Sequence, residues 1–467
     1  MYIDSHTHLY DEEFRQDLDE VLKRAQDAGV EWLIVPGTNV ETSRGAIALA
    51  ERYPFVSACV GIHPHEAGKV GEGDLQTIEE LTHHPAVVAV GEIGLDYHYN
   101  FAPATAQQQV FREQVLMAAR RQLPVVVHTR ESIDDAVAMV QDVVEHNAGW
   151  GENLLNVHTR SPAGRGVFHC FMGSAEEAWR LLELGFYVSY PGIVTFKNSP
   201  VLGTLSRIGF DHILLETDSP YLAPVPMRGK RNEPSFLPLV AQKIASLFEV
   251  LPEDVARTAR FNTKRLFRIG EPDQPRIVYQ LRNSLYVNMT IRCNADCVFC
   301  DRKGSAVVKG YNLKIEHEPS PEELIEAIGD PTRYEEVVFC GYGEPTIRLE
   351  VLKTVARWIK QQGGRVRLNT DGHGSIINHR NIVPELAGLV DVVSISLNSA
   401  DPEQYGRLMR VDGDRHFKAM TEFALECKKV IGGVNMTLVD VPEVDKERAR
   451  TFVEKDLGLT LRVRPFF

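Results

Sequence analysis

The strongest constraint on the fold is a regular alternation of short apolar runs with longer amphipathic segments. Before residue 270, eight runs have the length and composition of β-strands, and stretches such as Leu18–Ala28 and Ala104–Arg121 separate them. Eight βα units in about 265 residues predict a (β/α)8 barrel, whose active sites lie where the strands end. The predicted strands are Met1–Asp4, Trp32–Pro36, Val56–Ile62, Val87–Ile93, Val125–His128, Val167–Cys170, Tyr187–Pro191 and Ile213–Thr217.

The same alternation returns after a polar segment, Phe267–Pro275, which contains one glycine and two prolines. Such a segment interrupts helical periodicity and predicts a domain boundary. We therefore expect a first domain at 1–268, a linker at 269–276 and a second domain at 277–467. Six further strands predict a partial (β/α)6 barrel, which places the whole chain in the α/β class. These strands are Ser284–Thr290, Glu336–Cys340, Arg365–Asn369, Val390–Leu397, Gly433–Val439 and Leu461–Arg464.

The two parts differ in the side chains that could bind metals. Residues 1–270 hold 12 of the 16 histidines and a net charge of −11 out of −13, and the remainder holds 5 of the 7 cysteines. Imidazole and carboxylate suit Zn, Mg or Mn ions, whereas thiolates suit iron–sulfur clusters. An odd number of cysteines in a cytosolic chain also disfavours a disulfide framework.

Composition excludes several classes of protein. Hydrophobic residues make up 43% of the chain and charged residues 25%, which excludes a fibrous or mainly disordered protein. No apolar run approaches the roughly 18 residues that span a bilayer. The first residues, Met1–His6, lack the basic and apolar regions of a secretory signal. We expect a cytoplasmic location and no membrane partner.

Imidazoles and carboxylates stand at the ends of most first-series strands. Because strand residues two apart point the same way, His6 and His8 can bind one ion together. These groups are ligands for Zn²⁺ or Mn²⁺, and a shared carboxylate can bridge two ions that act on a phosphoester. One histidine at a strand end is usually an ordinary polar residue, but convergence from several strands favours a metal site. The groups are His6, His8, His63, His65, Glu92, Asp96, His128, His169, Glu216 and Asp218.

Several motifs resemble those of the TatD family of metal-dependent deoxyribonucleases over residues 1–267. They are Asp4–His8, Gly61–His65, Gly91–Tyr97, Phe168–Ser174, Leu215–Leu222, Arg228–Pro234 and Asn262–Phe267. The resemblance implies hydrolysis of phosphodiesters, typically by removing nucleotides from DNA 3′ ends, with two divalent ions (Zn, Mn or Mg). It implies one ion on His6, His8, Glu92 and Asp218, and the other on Glu92, His128 and His169. His63 would lie beside the substrate or the attacking water, so the implied catalytic residues are Glu92, Asp218 and His63.

Basic residues near these motifs are candidates for phosphate contact, because arginine and lysine dominate recognition of the nucleic-acid backbone. They are Arg130, Arg228, Lys230 and Arg231, and the last three could equally belong to a solvated loop. A net charge of −11 argues against broad duplex binding and favours short or single-stranded ends. The segment Glu145–Arg165, with His158 and Arg160, is longer than in the family, and we interpret it as a surface insertion rather than a part of the substrate path.

Three cysteines of the second part, Cys293, Cys297 and Cys300, follow a predicted strand with the spacing C-x3-C-x2-C. Three thiolates can hold three irons of a [4Fe–4S] cluster and leave the fourth iron open. A zinc site would usually need a fourth cysteine or histidine nearby, and the four-cysteine run of bacterial ferredoxins is absent. Cys340 and Cys427 lack motif spacing and are interpreted as small buried residues rather than ligands of a second cluster.

Further motifs resemble the radical S-adenosylmethionine (SAM) superfamily over about 284–467. They are Gly341–Pro345, Asn369–Gly372 and Ser394–Asn398, together with an aromatic residue before the last cysteine. The resemblance implies reductive cleavage of SAM, with an electron donor such as flavodoxin or ferredoxin. A fusion of this kind, with its second part at about 276–467, resembles the TatD-associated radical SAM proteins. The implied SAM-binding residues are Phe299, Gly341, Tyr342, Gly343, Glu344, Asn369, Ser396 and Asn398.

We therefore interpret the chain as a bifunctional enzyme, a nuclease acting on DNA or nucleotides joined to a radical SAM domain. One alternative is an amidohydrolase or phosphotriesterase-like enzyme that acts on a small molecule and carries a regulatory cluster domain. A carboxylated lysine would mark that branch, but His128 stands at the fifth strand end. A second alternative is a cluster-bearing redox sensor that regulates the nuclease without cleaving SAM.

Overall fold

The computed structural model describes residues 1–99, 101–147, 149–152 and 164–465. They form two compact units, Met1–Glu271 and Pro272–Phe467, and each is described by itself. His158 and Arg160 of the predicted insertion lie outside the described residues. No single helix in the described ranges is long and apolar enough to cross a membrane; one bent pair, Pro234–Phe248 with Pro252–Phe267, meets the length and composition criteria when its two helices are taken together.

The first unit contains eight parallel strands that follow one another in chain order around the sheet. The ends of the first and last strands meet, because Ser5 N donates to Leu215 O at 3.0 Å and Asp218 N donates to His6 O at 2.9 Å. The predicted (β/α)8 barrel is thereby confirmed. The strands are β1 (Tyr2–Asp4), β2 (Val30–Pro36), β3 (Val56–Val60), β4 (Val87–Asp96), β5 (Val125–Arg130), β6 (Gly166–Phe168), β7 (Phe186–Tyr190) and β8 (Ile213–Leu215).

Amphipathic helices cover the outside of this barrel. In the first of them, Val21, Leu22 and Ala25 form one buried stripe while the remaining positions face outward. The helices are α1 (Leu18–Asp27), α2 (Val40–Arg52), α3 (Asp74–Leu81), α4 (Ala104–Arg121), α5 (Ile133–His146), α6 (Ala175–Glu183), α7 (Leu202–Ile208), α8 (Leu237–Phe248) and α9 (Pro252–Phe267). Short 3-10 helices span Glu12–Phe14, Pro64–Lys69, Gly192–Thr195 and Pro234–Phe236.

The inside of the barrel is filled by apolar side chains. Each strand contributes one residue to a buried cluster, and residues after or at the end of α9 complete it. Successive residues of a strand point to opposite faces. Val126 therefore belongs to this inner cluster, while Val125 and Val127 pack outward against the helices. The cluster consists of Ile3, Ile34, Cys59, Ala89, Val126, Val167, Tyr187, Leu214, Leu266, Phe267 and Ile269.

Two strands of the barrel continue further at their carboxyl ends than the sequence pattern predicted. β4 continues to Asp96 and β5 to Arg130, where the predictions ended at Ile93 and His128. The extension depends on Gly94, which has φ +139° and whose Cβ, if present, would lie 2.0 Å from the carbonyl oxygen of His128. A glycine inside the apolar run therefore permits a close approach of two strands rather than ending one.

The second unit has six parallel strands, as predicted, and a seventh strand that the sequence pattern did not predict. β9 pairs antiparallel with β10 and adds an edge to the sheet, whose order is β17-β16-β15-β14-β13-β10-β9. β9 has only four residues, Val-Tyr-Gln-Leu, which do not alternate regularly between apolar and polar side chains, so the sequence pattern predicts no strand there. The strands are β9 (Val278–Leu281), β10 (Ser284–Val287), β13 (Glu336–Phe339), β14 (Val366–Thr370), β15 (Val392–Ser396), β16 (Gly433–Asp440) and β17 (Thr460–Pro465), with a separate hairpin of β11 (Val307–Val308) and β12 (Tyr311–Asn312).

Helices pack on only one face of this second sheet. That face carries apolar residues such as Val337, Leu368 and Ile395, which form one cluster with the helices. The helices are α10 (Pro321–Ile328), α11 (Leu349–Gln361), α12 (Gly374–Ile377), α13 (Val383–Leu386), α14 (Pro402–Met409), α15 (Gly413–Val430) and α16 (Lys446–Thr451), with a π-helix at Phe452–Asp456 and 3-10 helices at Pro331–Arg333 and Pro345–Arg348.

The described ends of the Glu145–Arg165 segment are anchored away from the carboxyl ends of the strands. Trp150 is 1% exposed and its Nε1 donates to Leu123 O at 2.9 Å, just before β5 begins. Arg165 donates from Nε to Trp150 O at 2.9 Å and from Nη1 to Leu184 O at 2.8 Å, just before β7 begins. These contacts lie at the amino ends of the strands, which supports the interpretation as a surface insertion.

Candidate functional sites

A buried carboxylate, Glu92 in β4, is the centre of the first site. Its Oε1 lies 2.9 Å from His169 Nε2, 3.2 Å from His128 Nδ1 and 3.4 Å from His63 Nε2. Its Oε2 faces a different pair, since His6 Nε2 is 3.4 Å away and His8 Nε2 3.7 Å away. Each oxygen of one carboxylate therefore faces its own group of imidazoles, which is the arrangement of a bridging ligand.

Asp218 closes the side of the site that holds the first histidine pair. Its Oδ1 lies 3.7 Å from His6 Nε2 and 3.5 Å from His8 Nε2, while the two imidazole nitrogens are 3.2 Å apart. β8 ends at Leu215, earlier than predicted, so Asp218 stands in the following loop with φ +55°. The loop position lets the carboxylate turn toward β1, where Asp218 N donates to His6 O.

Burial and mutual charge shift the pKa values of these groups strongly. Burial alone would raise the pKa of Glu92, but the imidazoles of His169, His63 and His6 outweigh it and hold that pKa well below its usual range. Burial would lower the pKa of His169, but Glu92 outweighs it and raises the pKa to about 9. Burial does lower the pKa of His6 to about 4. The site thus holds an ionised carboxylate beside the neutral imidazole of His6, whereas His169 has to release a proton before it can bind a metal ion.

Divalent ions fit this donor set. Three groups of residues each offer one nitrogen or oxygen atom within 4.8 Å of the others, and Glu92 belongs to two of them. Imidazole nitrogen with carboxylate oxygen is the ligand chemistry of Zn²⁺ and Mn²⁺. The groups are His6–His8–Glu92, His6–His169–Asp218 and His63–Glu92–His128.

Two further carboxylates lie next to these imidazoles. The sequence placed Asp96 and Glu216 among the converging groups but predicted no separate role for either. Asp96 Oδ2 lies 3.2 Å from His128 Nε2 and 2.9 Å from His65 Nε2, and a carboxylate so placed fixes the orientation of a metal-ligating histidine. Glu216 accepts from the backbone N of Cys170 at 2.7 Å and from Ser189 Oγ at 2.6 Å, and its Oε1 is 3.8 Å from His169 Nδ1. The spacing of Asp96, four residues after Glu92 in one strand, could have indicated its positioning role, because such residues share a face.

The site opens into a cavity of about 1020 Å³. Aromatic rings line one side, where Tyr99 is 40% exposed and lies next to Phe101, which is 63% exposed, at a ring-centre distance of 5.4 Å. The guanidinium carbon of Arg130 lies 4.6 Å from the centre of the Tyr99 ring and Arg130 lines the cavity. Exposed rings beside an arginine are the features that bind unpaired nucleic-acid bases and phosphates.

The other predicted phosphate contacts lie elsewhere. Arg231 forms an ion pair with Asp17, with Nη2 and Oδ2 2.7 Å apart, and its guanidinium lies over Phe14. Arg228 donates to Ala223 O at 3.1 Å and lies over the Phe196 ring. Neither residue is among the described residues that line the cavity, so their contact with phosphate stays a prediction.

The second site is the loop that follows β10 and carries the three motif cysteines. Arg302 organises this loop, because its Nη2 donates to Ala295 O at 3.1 Å. The loop is also attached to α14, since Asp296 N donates to Met409 O at 3.1 Å and Val298 N donates to Leu408 O at 2.9 Å. These hydrogen bonds fix the backbone of the loop that carries the cysteines.

An iron–sulfur cluster fits the chemistry of this loop. Cys293, Cys297 and Cys300 are all half-buried and free of disulfides. Burial raises the pKa of each thiol, to about 12 for Cys293, so thiolates need a positive partner such as iron to form here. Three cysteines without a fourth leave room for one further ligand.

Several of the predicted SAM residues lie next to this loop. Gly343 permits a close approach, since a Cβ there would lie 2.3 Å from Thr290 O, and Glu344 N donates to Arg292 O at 2.9 Å. Asn398 Nδ2 lies 2.9 Å from the Met409 sulfur, which is 3.4 Å from the Cys297 sulfur.

Glu344 itself is engaged by protein donors. Its Oε1 accepts from Thr346 N at 3.0 Å and Thr370 Oγ1 at 2.8 Å, and its Oε2 accepts from Asp371 N at 2.9 Å. Burial and the neighbouring carboxylate of Asp371 raise the pKa of Glu344 to about 8. Glu344 therefore ties its loop to the end of β14, and a contact with the SAM amine stays a prediction.

Sequence models of two families match this chain, one in each unit. Residues 3–268 match the sequence model of the family described as TatD related DNase, which is more than half of the chain. The chain belongs to the TatD-related DNase family. Residues 287–454 match the Radical SAM superfamily, so a radical SAM domain follows the TatD domain.

Three similar proteins match 57–58% of this chain over all or nearly all of their own length. The uncharacterized metal-dependent hydrolase YabD of Bacillus subtilis (strain 168) is 40% identical over 271 residues, which are 58% of this chain and 100% of that protein. The 3′-5′ ssDNA/RNA exonuclease TatD of Edwardsiella piscicida is 34% identical over 275 residues, 57% of this chain and 100% of that protein. The crystal structure of the TatD homologue YJJV of Escherichia coli K12, 29% identical, matches with a TM-score of 0.52 over 58% of this chain and 98% of that one.

Proposed function

We propose that the TatD domain removes nucleotides from the 3′ ends of single-stranded DNA with two divalent ions, and that the radical SAM domain cleaves SAM reductively. The observation that carries the nuclease proposal is the position of Glu92, whose two oxygens face separate imidazole groups. An exonuclease among the relatives, named for single-stranded DNA and RNA, supports the substrate class. A cytoplasmic location and an electron donor of the flavodoxin or ferredoxin type remain part of this proposal.

The metal-binding residues of the TatD site would divide into two groups around Glu92. Glu92 would bridge two ions, with His6, His8 and Asp218 on one side and His128 and His169 on the other. When bound, such ions lower the pKa of water and neutralise charge on phosphate oxygens. His63 lies 3.4 Å from Glu92 and lines the cavity, where it could hold the substrate or a proton-bearing water.

The walls of the cavity favour an unpaired strand end. Tyr99 and Phe101 present exposed rings on which bases could stack, and Arg130 could contact a phosphate. The domain is acidic overall, which disfavours binding along a duplex. These features favour a short single-stranded end over a long double-stranded substrate.

In the radical SAM domain, Cys293, Cys297 and Cys300 would hold a [4Fe–4S] cluster. When bound, the cluster supplies the electron that breaks a carbon–sulfur bond of SAM, and the protein orients the cofactor and excludes water. The predicted residues Asn369, Ser396 and Asn398 stand on or after neighbouring strands at the carboxyl end of the sheet, where they could bind the polar groups of SAM.

A nuclease assay tests the first half of the proposal. The full chain is incubated with Mn²⁺ or Mg²⁺ and a single-stranded oligonucleotide labelled at its 3′ end, with a blunt duplex as control. We expect release of labelled mononucleotide from the single strand, much slower release from the duplex, and none after EDTA treatment. An intact single strand in the presence of either ion would overturn the assignment. Hydrolysis of a small ester or amide instead would favour the amidohydrolase alternative.

A product assay tests the second half. The chain is reconstituted anaerobically with iron and sulfide and given SAM and dithionite. We expect 5′-deoxyadenosine, measured by mass spectrometry, and no such product without reductant. A reconstituted cluster that yields no 5′-deoxyadenosine would favour the redox-sensor alternative.

A further inference from the structure

The inner face of the second sheet, the side that the helices do not cover, is polar along most of its length. In β14, Arg367 and Asn369 alternate with the buried Val366 and Leu368. In β17, Arg462 and Arg464 alternate with apolar residues in the same way. Parallel sheets are usually apolar on both faces, so a polar face calls for a binding partner. We define this inner polar face by Tyr286, Asn288, Arg367, Asn369, Ser394, Ser396, Asn435, Thr437, Arg462 and Arg464.

Strand register places these residues side by side. Asn369 is paired with Ser394, and Ser394 with Asn435, so three polar residues form one row across β14, β15 and β16. Thr437 is paired with Arg462, and Val439 with Arg464, one and two steps closer to the carboxyl end of the sheet. That end also carries the cysteine loop and the Gly341–Glu344 loop, so Arg464 lies at the reactive end of the face.

The inner polar face holds buried polar atoms that nothing in the described protein satisfies. They lie on five of the six parallel strands or directly after them, which is too regular for isolated packing defects. Buried polar groups are normally hydrogen-bonded, and a cluster of unsatisfied ones indicates an absent ligand. The atoms are Asn288 Oδ1, Asn369 Oδ1, Ser394 Oγ, Asn435 Oδ1 and Arg464 Nε.

The charge of the face is positive. Arg367 is neutralised by Glu336, with Nε and Oε2 3.0 Å apart. Arg464 makes one hydrogen bond, from Nη2 to Thr437 Oγ1 at 3.2 Å, and no described carboxylate lies within 4.0 Å of Arg464 or Arg462. A half-buried guanidinium without an acidic partner is a strong site for an anion, because its planar fork matches a carboxylate or a phosphate.

The positive charges of these arginines act on titratable groups of other strands on the same face. Arg464 and Arg367 both act to lower the pKa of Cys340 at the end of β13, although burial outweighs them and raises it. Arg367 and Arg462 act in the same direction on Tyr286 in β10, where burial again dominates. Residues from β10, β13, β14 and β17 therefore surround one space.

We propose that the inner polar face binds the substrate of the radical SAM domain, a small molecule with a carboxylate or phosphate group, and that Arg464 holds that group. The unsatisfied oxygen of Asn435 would accept a hydrogen bond from the neutral part of the same molecule. Arg462, which is exposed on the same strand, would attract the anion to the face. The proposal rests on the radical SAM activity proposed above and names its substrate class.

Anion binding by the full chain tests this proposal. The reconstituted chain is treated with EDTA to remove divalent ions from the TatD site and titrated calorimetrically with inorganic phosphate and with citrate, which separate the two anion sources. For the anion that binds, we expect Arg464→Gln to raise the dissociation constant at least about tenfold, since a hydrogen bond to a charged group is lost. Arg464→Lys should recover part of the affinity. Arg415→Gln removes an exposed arginine of α15 and should change nothing.

Two further arms separate the possible failures. SAM has its own carboxylate, so the titration is repeated at saturating SAM; anion binding that SAM abolishes would assign Arg464 to the cofactor and overturn the proposal. Equal affinity in the wild type and Arg464→Gln, or binding of neither anion, would also overturn it. If 5′-deoxyadenosine forms but the dissociation constant of the anion does not change in Arg464→Gln, only the proposal that Arg464 binds the anion fails. If binding depends on Arg464 and no 5′-deoxyadenosine forms, the site stands and the radical SAM function fails. Thermal unfolding of Arg464→Gln checks that the variant is folded.

Discussion

The two units use the inner face of a parallel sheet in opposite ways. In the TatD barrel, every strand contributes an apolar side chain to the interior, and polar chemistry appears only where the strands end. In the radical SAM domain, the corresponding face carries amides, hydroxyls and arginines along most of its length. A closed barrel must fill its interior with side chains to reach normal packing density. An open sheet with free edges can leave its inner face polar for a ligand.

This difference extends to how each site balances its charges. Around Glu92, imidazoles and carboxylates lie within a few ångströms of each other and balance one another's charge. On the inner polar face, Arg464 Nε and several amide oxygens have no hydrogen-bond partner among the described residues. Removing a single charged group should therefore abolish activity at the TatD site. Replacing a polar residue of the inner polar face with an apolar one should leave the protein folded.

The largest expected effect is on the bridging carboxylate. Glu92→Gln keeps the shape of the side chain but removes the charge that both imidazole groups share. We expect kcat/KM for release of nucleotides to fall at least about a thousandfold, because bound ions contribute several kcal/mol to such a reaction and each 1.36 kcal/mol is tenfold. The assay is the single-strand nuclease assay, with metal content measured in parallel.

Glu66→Gln is the matched control for this variant. Glu66 lines the same cavity but pairs with Lys69 rather than with the imidazoles. Its replacement should leave activity within about threefold of the wild type, since exposed ion pairs contribute little. Equal activity of Glu92→Gln and Glu66→Gln would refute the bridging role.

The second prediction concerns the cluster. Cys297→Ala removes one of three ligands from a site without a spare thiol, and we expect iron content after reconstitution to fall to background. Cys340→Ser changes a cysteine outside the motif and should leave the iron content unchanged. Loss of iron in both variants would mean that Cys340 is also a ligand and that the three motif cysteines are not the complete set of cluster ligands. Nuclease activity should survive both substitutions, because the TatD ligands are untouched.

The third prediction tests whether the rim of the barrel binds unpaired bases. Tyr99→Ala should raise KM for single-stranded DNA about tenfold with little change in kcat, because stacking on one base is worth about 1–3 kcal/mol. Trp179→Ala removes an exposed ring of α6, which is not among the described cavity residues, and should leave KM unchanged. An unaltered KM for Tyr99→Ala would show that bases do not stack there.

The smallest expected effect compares the two inner faces directly. Asn435→Val removes an unsatisfied amide oxygen from the second sheet and should stabilise that domain by about 1 kcal/mol while impairing ligand binding. Val126→Asn introduces an amide into the filled barrel and should destabilise the TatD domain by about 2–4 kcal/mol. Urea unfolding, followed with probes specific to each domain, measures both. Destabilisation of similar size in both variants would contradict the contrast between the faces.

Sequence periodicity was sufficient for the barrel, because each apolar run and its following helix are local features. The convergence of His6, His8, Glu92, His128, His169 and Asp218 was likewise predictable, since parallel strands bring their carboxyl ends together. Asp96 was among the converging groups, but its contact with His128 and His65 was not predicted, because the predicted β4 ended at Ile93. Arg231 was placed near phosphate by its motif, but the structure pairs it with Asp17, a long-range contact that no local pattern reveals.

The inner polar face of the second sheet could not be predicted from the sequence alone, because it depends on which face of the sheet the helices cover. The alternation in β14 and β17 is visible in the sequence, but alternation alone does not say which face a helix will cover. The antiparallel strand β9 and the sheet order decide which residues share the open side, and both depend on contacts between distant segments. Only the folded sheet shows that Arg464 bonds to Thr437 and that Asn435 and Asn369 lie on the same face of the sheet.

The central claim is that one chain carries two independent chemistries, one at the rim of a filled barrel and one on an open polar face. The most direct test measures nucleotide release and 5′-deoxyadenosine formation on the same reconstituted preparations of wild type, Glu92→Gln and Cys297→Ala. We predict that the wild type gives both products, Glu92→Gln gives only 5′-deoxyadenosine, and Cys297→Ala gives only nucleotides. A substitution that abolishes both products in a folded chain, or a wild type that gives neither, would contradict the account.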